Sequence, residues 1–234
     1  RFWGLAGFYS DKSDGKIKLN GDINLALVNS LRYGEKLTFA WSAPGKGTQN
    51  LNINVDWPYI LGRQAGVVGS FSLYRRDSTY ITFNPKLSFS FFASNGGRFL
   101  LNLDYKKSSF TSNSSIPQSQ YGNSSALLYG LGYEFNNYDN IILPTKGILL
   151  KSNLNTGSRN SDQKLSPNSN LIDGEFFVEG FIPIYTNRFI VAVRSNSKVR
   201  AIYNTKGSTT LFENEMYRVG GMGTIRGFNQ ESIL

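Results

Sequence analysis

Hydrophobic and polar side chains alternate along this chain in segments of about ten residues, and no helical period interrupts them. The clearest segment covers residues 80–93. Its apolar positions are Ile81, Phe83, Leu87, Phe89 and Phe91, and its polar positions are Thr82, Asn84, Lys86, Ser88 and Ser90. Because successive side chains of a strand point to opposite faces, this alternation predicts a sheet with one apolar and one polar face.

About eleven such segments predict an all-β fold of antiparallel strands. Their predicted spans are 2–10, 16–29, 35–43, 49–60, 66–75, 80–93, 98–107, 126–136, 147–156, 172–185 and 188–203. The three long connections, at 108–125, 157–171 and 204–234, all follow odd-numbered strands and therefore share one rim, while the even-numbered connections are mostly brief. This sorting is typical of outer-membrane barrels. The pattern favours a transmembrane antiparallel β-barrel over a soluble β-sandwich or solenoid.

Composition narrows the function classes. The chain has 234 residues, a net charge of +9, and neither histidine nor cysteine. Without histidine, Ser–His catalysis and the commonest metal ligand are excluded, and we identify no catalytic, metal-binding or cofactor-binding set. The basic residues are scattered singly, which argues against nucleic acid and suits an anionic membrane surface or a charged lumen. The predicted lumen face carries Lys18, Asp22, Asp56, Asp104 and Lys106.

Two motifs depart from the strand pattern. One is a bend before the strand that starts near residue 147, where proline and glycine fix the chain direction. It reads Asp139-Asn140-Ile141-Ile142-Leu143-Pro144-Thr145-Lys146-Gly147. The other is a glycine-rich loop around one arginine, whose rigid fork of donors suits pairing with a buried carboxylate. It reads Gly220-Gly221-Met222-Gly223-Thr224-Ile225-Arg226-Gly227-Phe228.

Taken together, these motifs resemble the BamA/TamA superfamily of outer-membrane assembly factors, whose relatives include the two-partner secretion translocators. The residues that match the family's turn motif are Asp139, Asn140, Pro144, Thr145 and Gly147. Those that match its loop motif are Gly220, Gly221, Thr224, Ile225, Arg226, Gly227 and Phe228. The stretch Asp56-Trp57-Pro58-Tyr59 also resembles the family's N-P-Y sequence.

The resemblance implies a barrel of about sixteen strands, within the range of such barrels. Residues 1–234 are then expected to supply its N-terminal and middle part, strands one to eleven, and an inward-folded arginine loop at 204–234. The POTRA domains and the last strands are expected outside this chain, both of whose ends look cut. Eleven strands alone would leave two sheet edges that lipid cannot satisfy.

The resemblance further implies a non-enzymatic protein of the bacterial outer membrane, with its long loops facing outside, that inserts client β-barrels. Arg226 is expected to dock in the lumen on an acidic partner from strands outside this chain. The first strand is expected to offer its backbone to a client strand at a lateral seam. The residues of that seam strand are Phe2, Trp3, Gly4, Leu5, Ala6, Gly7, Phe8 and Tyr9.

The partners implied are outer-membrane lipids and lipopolysaccharide, client outer-membrane β-barrels, and accessory lipoproteins or other assembly subunits, with no nucleic acid and no cofactor. Two alternatives stay open at this point. One is a two-partner secretion translocator, which would pass a long substrate through the pore. The other is a passive outer-membrane channel, which needs no arginine loop.

Overall fold

The computed structural model describes residues 2–10, 17–45, 47–60, 64–76, 79–93, 96–110, 121–141, 143–162, 168–185, 189–203 and 211–219. Eleven strands form one sheet in which each strand pairs antiparallel with the next along the chain. They are β1 (Phe2–Ser10), β2 (Ile17–Val28), β3 (Lys36–Gly45), β4 (Thr48–Trp57), β5 (Ala65–Arg76), β6 (Tyr80–Phe92), β7 (Gly97–Phe110), β8 (Ser124–Asn136), β9 (Gly147–Ser161), β10 (Ser169–Tyr185) and β11 (Phe189–Tyr203). Within these ranges no helix has the length and apolarity to cross a membrane.

The predicted strands are all present, but the predicted loop at 157–171 is wrong in extent. β9 continues to Ser161 and β10 begins at Ser169, so the connection covers only residues 162–168. Ser158 pairs with Leu127 of β8 and with Asn170 of β10. Backbone pairing on both sides therefore keeps this Ser- and Asn-rich stretch extended, although those residues have modest strand propensity.

Loop length separates the two rims less sharply than the sequence predicts. The connections at 46–47 and 77–79 follow odd-numbered strands and are short, whereas those at 29–35 and 137–146 follow even-numbered strands and are longer. The connection predicted at 108–125 is present and is the longest between two described strands, but it is shorter than predicted and covers residues 111–123. The length of a connection alone therefore does not tell on which rim of the sheet it lies.

The sheet has the reverse polarity of a water-soluble protein, in which large apolar side chains are mostly buried. On β6 to β8 its exposed face carries Phe83, Leu87, Phe89, Phe91, Phe99, Leu101, Leu103, Tyr129 and Leu131. The opposite face buries Ser88, Ser90, Asn102, Asp104 and Ser108. An apolar outer face beside a polar inner one is the arrangement of a barrel that stands in lipid. We call these the apolar face and the polar face.

An arginine contact shows that the sheet curves toward its polar face. On β7, Arg98 places Nη1 2.9 Å from both carboxylate oxygens of Asp56, which lies on β4, three strands away. Its Nε lies 3.1 Å from Oε2 of Glu134 on the adjacent β8. Because neighbouring strands are ~4.8 Å apart, β4 and β7 would be ~14 Å apart in a flat sheet. Curvature brings the two side chains together.

Polar side chains also bond across strands where glycine leaves room. The Nδ2 of Asn102 on β7 lies 3.1 Å from Oδ1 of Asn153 and 3.2 Å from Oδ1 of Asn155, both on β9. The intervening strand β8 presents Gly130 and Gly132 beneath these bonds. A Cβ on Gly132 would lie 2.4 Å from Asn153 Oδ1, and one on Gly130 would lie 2.5 Å from Asn155 Oδ1. The two glycines therefore permit the network.

A charge in the middle of the apolar face should destabilise the folded protein. Leu103 lies at the centre of β7 and Ser109 lies near the end of the same strand on the same face. We expect Leu103→Arg to lower the free energy of unfolding in lipid by ~2–4 kcal/mol and Ser109→Arg by ~0–1 kcal/mol, because the cost of an arginine depends on its depth in the bilayer. Urea unfolding in liposomes measures both, and equal losses would contradict the assignment of this face to lipid.

Candidate functional site: a segment docked on the polar face

Residues 211–219, which follow β11, lie against the polar face and are called here the inner segment. A short turn shapes it, since Glu215 N donates to the Phe212 carbonyl at 2.9 Å and Met216 N donates to the Glu213 carbonyl at 3.3 Å. Leu211 packs against a small apolar cluster on the wall, formed by Ala126, Leu128 and Leu171 with Ile202. Charged and polar contacts hold the rest of the segment.

The most deeply buried of the ion pairs in the described residues joins Glu215 to Arg159 of β9. Nε of Arg159 lies 2.7 Å from Oε1 and its Nη2 lies 2.6 Å from Oε2, in a two-pronged geometry. The side chains are 0% and 8% exposed, respectively, so neither charge is solvated. Phe212 N donates to Glu215 Oε2 at 3.0 Å, and the Phe212 ring lies 5.2 Å from the guanidinium. A buried charge pair is tolerated only when its geometry and hydrogen bonds are this complete.

A second arginine joins the inner segment to the last two strands. Arg200 of β11 pairs with Asp173 of β10, and it donates to the backbone carbonyl of Glu215. Tyr217 completes this group, because its hydroxyl donates to Asp173 and its ring lies 4.5 Å below the Arg200 guanidinium. Two arginines thus hold Glu215. Arg159 binds its carboxylate, and Arg200 binds its main-chain carbonyl.

The end of the β7–β8 connection is locked to the same segment. Asn214 Nδ2 donates to the Gly122 carbonyl at 2.9 Å and to Ser108 Oγ at 2.7 Å. The Phe212 ring closes over Gly122, where a Cβ would lie 2.6 Å from two ring carbons. Next to it, the Tyr121 hydroxyl donates to Glu213 at 2.9 Å. The loop and the inner segment therefore position each other.

The predicted turn motif forms a bend organised by one carboxylate. Asp139 Oδ1 accepts the backbone amides of Asn140, Thr145 and Lys146 at 2.9–3.0 Å, and Oδ2 accepts Thr145 Oγ1 at 2.5 Å. These bonds, the Thr145 hydroxyl foremost and the amides after it, lower the pKa of Asp139 to about 2. Pro144 lies within the bend directly before Thr145.

Glycine is required where this bend re-enters the sheet. Gly147 has φ +121°, and a Cβ there would lie 2.6 Å from the Asn137 carbonyl oxygen. The neighbouring Tyr138 ties the bend to β10, since its hydroxyl donates to Glu179 at 2.8 Å and its ring packs edge-on against Phe181. Burial and the bond to Glu179 raise the pKa of Tyr138 to about 12, so the tyrosine stays protonated and remains the donor.

The predicted seam strand is β1, which forms one edge of the sheet, while β11 forms the other. All nine of its residues pair with β2, from Phe2 opposite Leu25 to Ser10 opposite Ile17. Gly4 and Gly7 therefore do not interrupt this pairing. Among the described residues, the other edge of β1 has no strand partner.

The predicted loop motif lies outside the described residues, so the roles of Gly220, Gly221, Thr224, Ile225, Arg226, Gly227 and Phe228 stay predictions. Sequence reasoning missed the contacts just upstream, formed by Glu215, Arg159 and Arg200. One available signal was a lone arginine, Arg159, within a run of small polar residues. Another was the two carboxylates, Glu213 and Glu215, shortly before the glycines. In the described part of the chain, no cluster of acidic side chains could hold a metal ion.

An open antiparallel sheet with an apolar outer face, a polar inner face and a docked inner segment defines part of a transmembrane β-barrel. The Omp85 superfamily domain matches residues 29–234, and the chain therefore belongs to that superfamily. Its members are outer-membrane β-barrels that act in protein insertion or translocation.

Among solved structures, the chain is similar to BamA from Haemophilus ducreyi lacking POTRA domains 1–3, with a TM-score of 0.60 and 18% sequence identity. The match covers 98% of this chain and 46% of that one, so the chain spans about half the length of the structure it resembles. The likeness extends to the fold of the barrel. A comparison with curated proteins found no match.

Breaking the buried pair should cost far more than breaking an exposed one. We expect Arg159→Met to lower the free energy of unfolding by ~3–5 kcal/mol, because Glu215 is left buried without its cation. The control is Arg194→Met, which removes an arginine that is 64% exposed and leaves its partner Glu179 with the hydroxyl donor of Tyr138. Because solvent screens the arginine, we expect a loss of only ~0–1 kcal/mol. Urea unfolding of the folded protein gives both values, and a similar loss in the two variants would contradict the role of Arg159.

The Asp139 carboxylate should titrate far below an ordinary aspartate. Its folded pKa of about 2 lies below the usual ~4, so its contribution to stability is complete above pH ~4 and is lost as the pH falls through ~2. The carboxyl carbon shift in NMR measures this midpoint. Thr145→Val removes the main cause and should move the midpoint upward, whereas Thr156→Val, on β9, should leave it unchanged. A wild-type midpoint near 4 would refute this account of the bend.

Proposed function

We propose that this chain is the barrel portion of an outer-membrane protein insertion factor. The observation that carries the proposal is the anchored inner segment, which leads directly into the glycine-rich arginine motif in a chain of the Omp85 superfamily. A loop held at Glu215 by two wall arginines starts from a defined point on the polar face. Only four residues lie between Glu215 and Gly220, so the arginine motif follows that anchor within a short stretch of chain.

In this proposal the loop at 204–234 folds inward and places Arg226 in the lumen. A buried guanidinium needs a carboxylate partner, which we assign to strands outside this chain. Gly227 supplies the tight turn after the arginine, and Phe228 packs on the wall. The docked loop stiffens the middle of the barrel while the seam at β1 stays weak.

The working surface is the free edge of β1. Its backbone N–H and C=O groups are offered to a client strand, which adds to the sheet by main-chain hydrogen bonds. No covalent bond of the client is broken, so the protein is not an enzyme. The free energy comes from the client's own strand pairing and burial in lipid, because unpaired backbone groups are costly there.

The proposal also assigns the rest of the molecule. Residues 1–234 form the N-terminal and middle part of a barrel of about sixteen strands, with POTRA domains before them and the last strands after them. The long loops face outside, in contact with lipopolysaccharide. Accessory lipoproteins or other assembly subunits bind the protein as partners. A two-partner secretion translocator of the same superfamily is the competing assignment.

The proposal is tested by trapping a client strand on the seam. The chain contains no cysteine, so Ala6→Cys places a unique thiol on β1. In the complete protein in outer membranes, we expect a disulfide between this thiol and a cysteine in the terminal strand of a client barrel. The control is Ala40→Cys on β3, which is paired on both edges by β2 and β4 and should give no such product.

Arg226→Ala should lower both the yield of the Ala6→Cys adduct and the level of assembled clients by at least about tenfold. A tenfold change corresponds to ~1.4 kcal/mol of lost stabilisation of the docked arginine loop. Wild-type client levels in this variant would refute the role of the arginine loop. Normal client assembly with a lost secreted substrate would instead identify the translocator.

A further inference from the structure

A cavity of about 200 Å³ lies on the polar face between the inner segment and strands β5, β6 and β7. Its wall includes the polar side chains of Tyr80, Thr82 and Asn84 and the cationic side chains of Lys106 and Arg218. No aspartate or glutamate of the described chain lines it. A water needs only ~10–15 Å³ by this kind of measure, so the cavity can hold a much larger solute.

The two cations carry unused hydrogen-bonding capacity. Within the described residues, Lys106 has no hydrogen bond and no ion pair, although it lies on the inner wall. Arg218 donates through Nη2 to Glu213 at 3.2 Å, but its buried Nε has no acceptor. A buried guanidinium N–H without an acceptor is costly, and the half-buried Lys106 adds a positive charge to the same wall, so the site favours an incoming negative charge.

Arg218 is already paired with Glu213, so the uncompensated positive charge of the cavity wall comes from Lys106. Glu215 is held by Arg159 and Asp173 by Arg200, each at hydrogen-bonding distance. Asp104 lies two residues from Lys106 on the same face and interacts with it electrostatically, but it forms no ion pair with it and does not line the cavity. Lys106 therefore adds a positive charge to a cavity wall whose other side chains are neutral or, as for Arg218, already paired.

We propose that this cavity binds a small oxyanion, either phosphate itself or a phosphomonoester. Phosphate oxygens accept charge-assisted hydrogen bonds from lysine and arginine at once. The Tyr80 and Thr82 hydroxyls and the Asn84 amide, which also line the cavity, add polar contacts. Because Asn214 and Arg218 belong to the inner segment, a bound anion bridges that segment to β7 and strengthens its docking.

Binding is tested on the complete protein in detergent micelles, by isothermal titration with inorganic phosphate and with glycerol 3-phosphate. We expect saturable binding of at least one of them, weakened at least tenfold by Lys106→Met and retained within about threefold by Lys106→Arg. Arg218→Gln should weaken binding as well. To distinguish phosphate binding from a nonspecific effect of added salt, the titration is repeated with equal concentrations of chloride.

Lys107→Met is the matched control, because it removes the same charge from the next residue of β7, whose exposed side chain lies on the opposite face. Its affinity should equal that of the wild type. Two outcomes would overturn the proposal: no saturable binding of either probe, or equal weakening by Lys106→Met and Lys107→Met. Because no client protein is present, the result is independent of the assembly function.

Discussion

The structure depends on one constraint: every strand must pair its backbone with a neighbour while its side chains face two unlike environments. Each strand is hydrogen-bonded in sequence order, and alternate residues turn to the apolar or the polar face. In lipid this arrangement is required, since an unpaired N–H or C=O group costs several kcal/mol. The polar face can then carry charged side chains that would be too costly to bury in the packed core of a soluble protein.

Those charges are arranged as contacts that reach across the sheet. Arg98 bridges β4 and β8, and Asn102 reaches β9 over two glycines. The same logic holds the inner segment, where Arg159 and Arg200 share Glu215. Since a buried charge is acceptable only with its partner, these contacts select a single position for the segment. An apolar segment on the same wall would lack that selectivity.

Among the described strands, β1 and β11 lie at the two ends of the sheet, and the polar contacts are concentrated between them. These contacts involve strands from β4 to β11, whereas β1, within the described part of the chain, pairs with β2 alone. An edge strand is a ready site for strand addition, and natural proteins normally protect it. The outer edge of β1 is therefore a position at which a further strand could add by main-chain hydrogen bonds.

The sequence by itself determined the strands and their faces, because the alternation of side chains is a local property of each strand. It does not depend on which other strands pair with it. The alternation at 80–93 specified β6 and its lipid side directly. The Asp139 bend could also be predicted from the sequence, since its hydrogen bonds join residues within eight positions of one another. By contrast, Ser158–Ser161 read as a loop, and its extension depended on pairing with two other strands. The partnership of Arg159 with Glu215 joins residues 56 positions apart, and only the curvature and register of the whole sheet decide which distant charges meet.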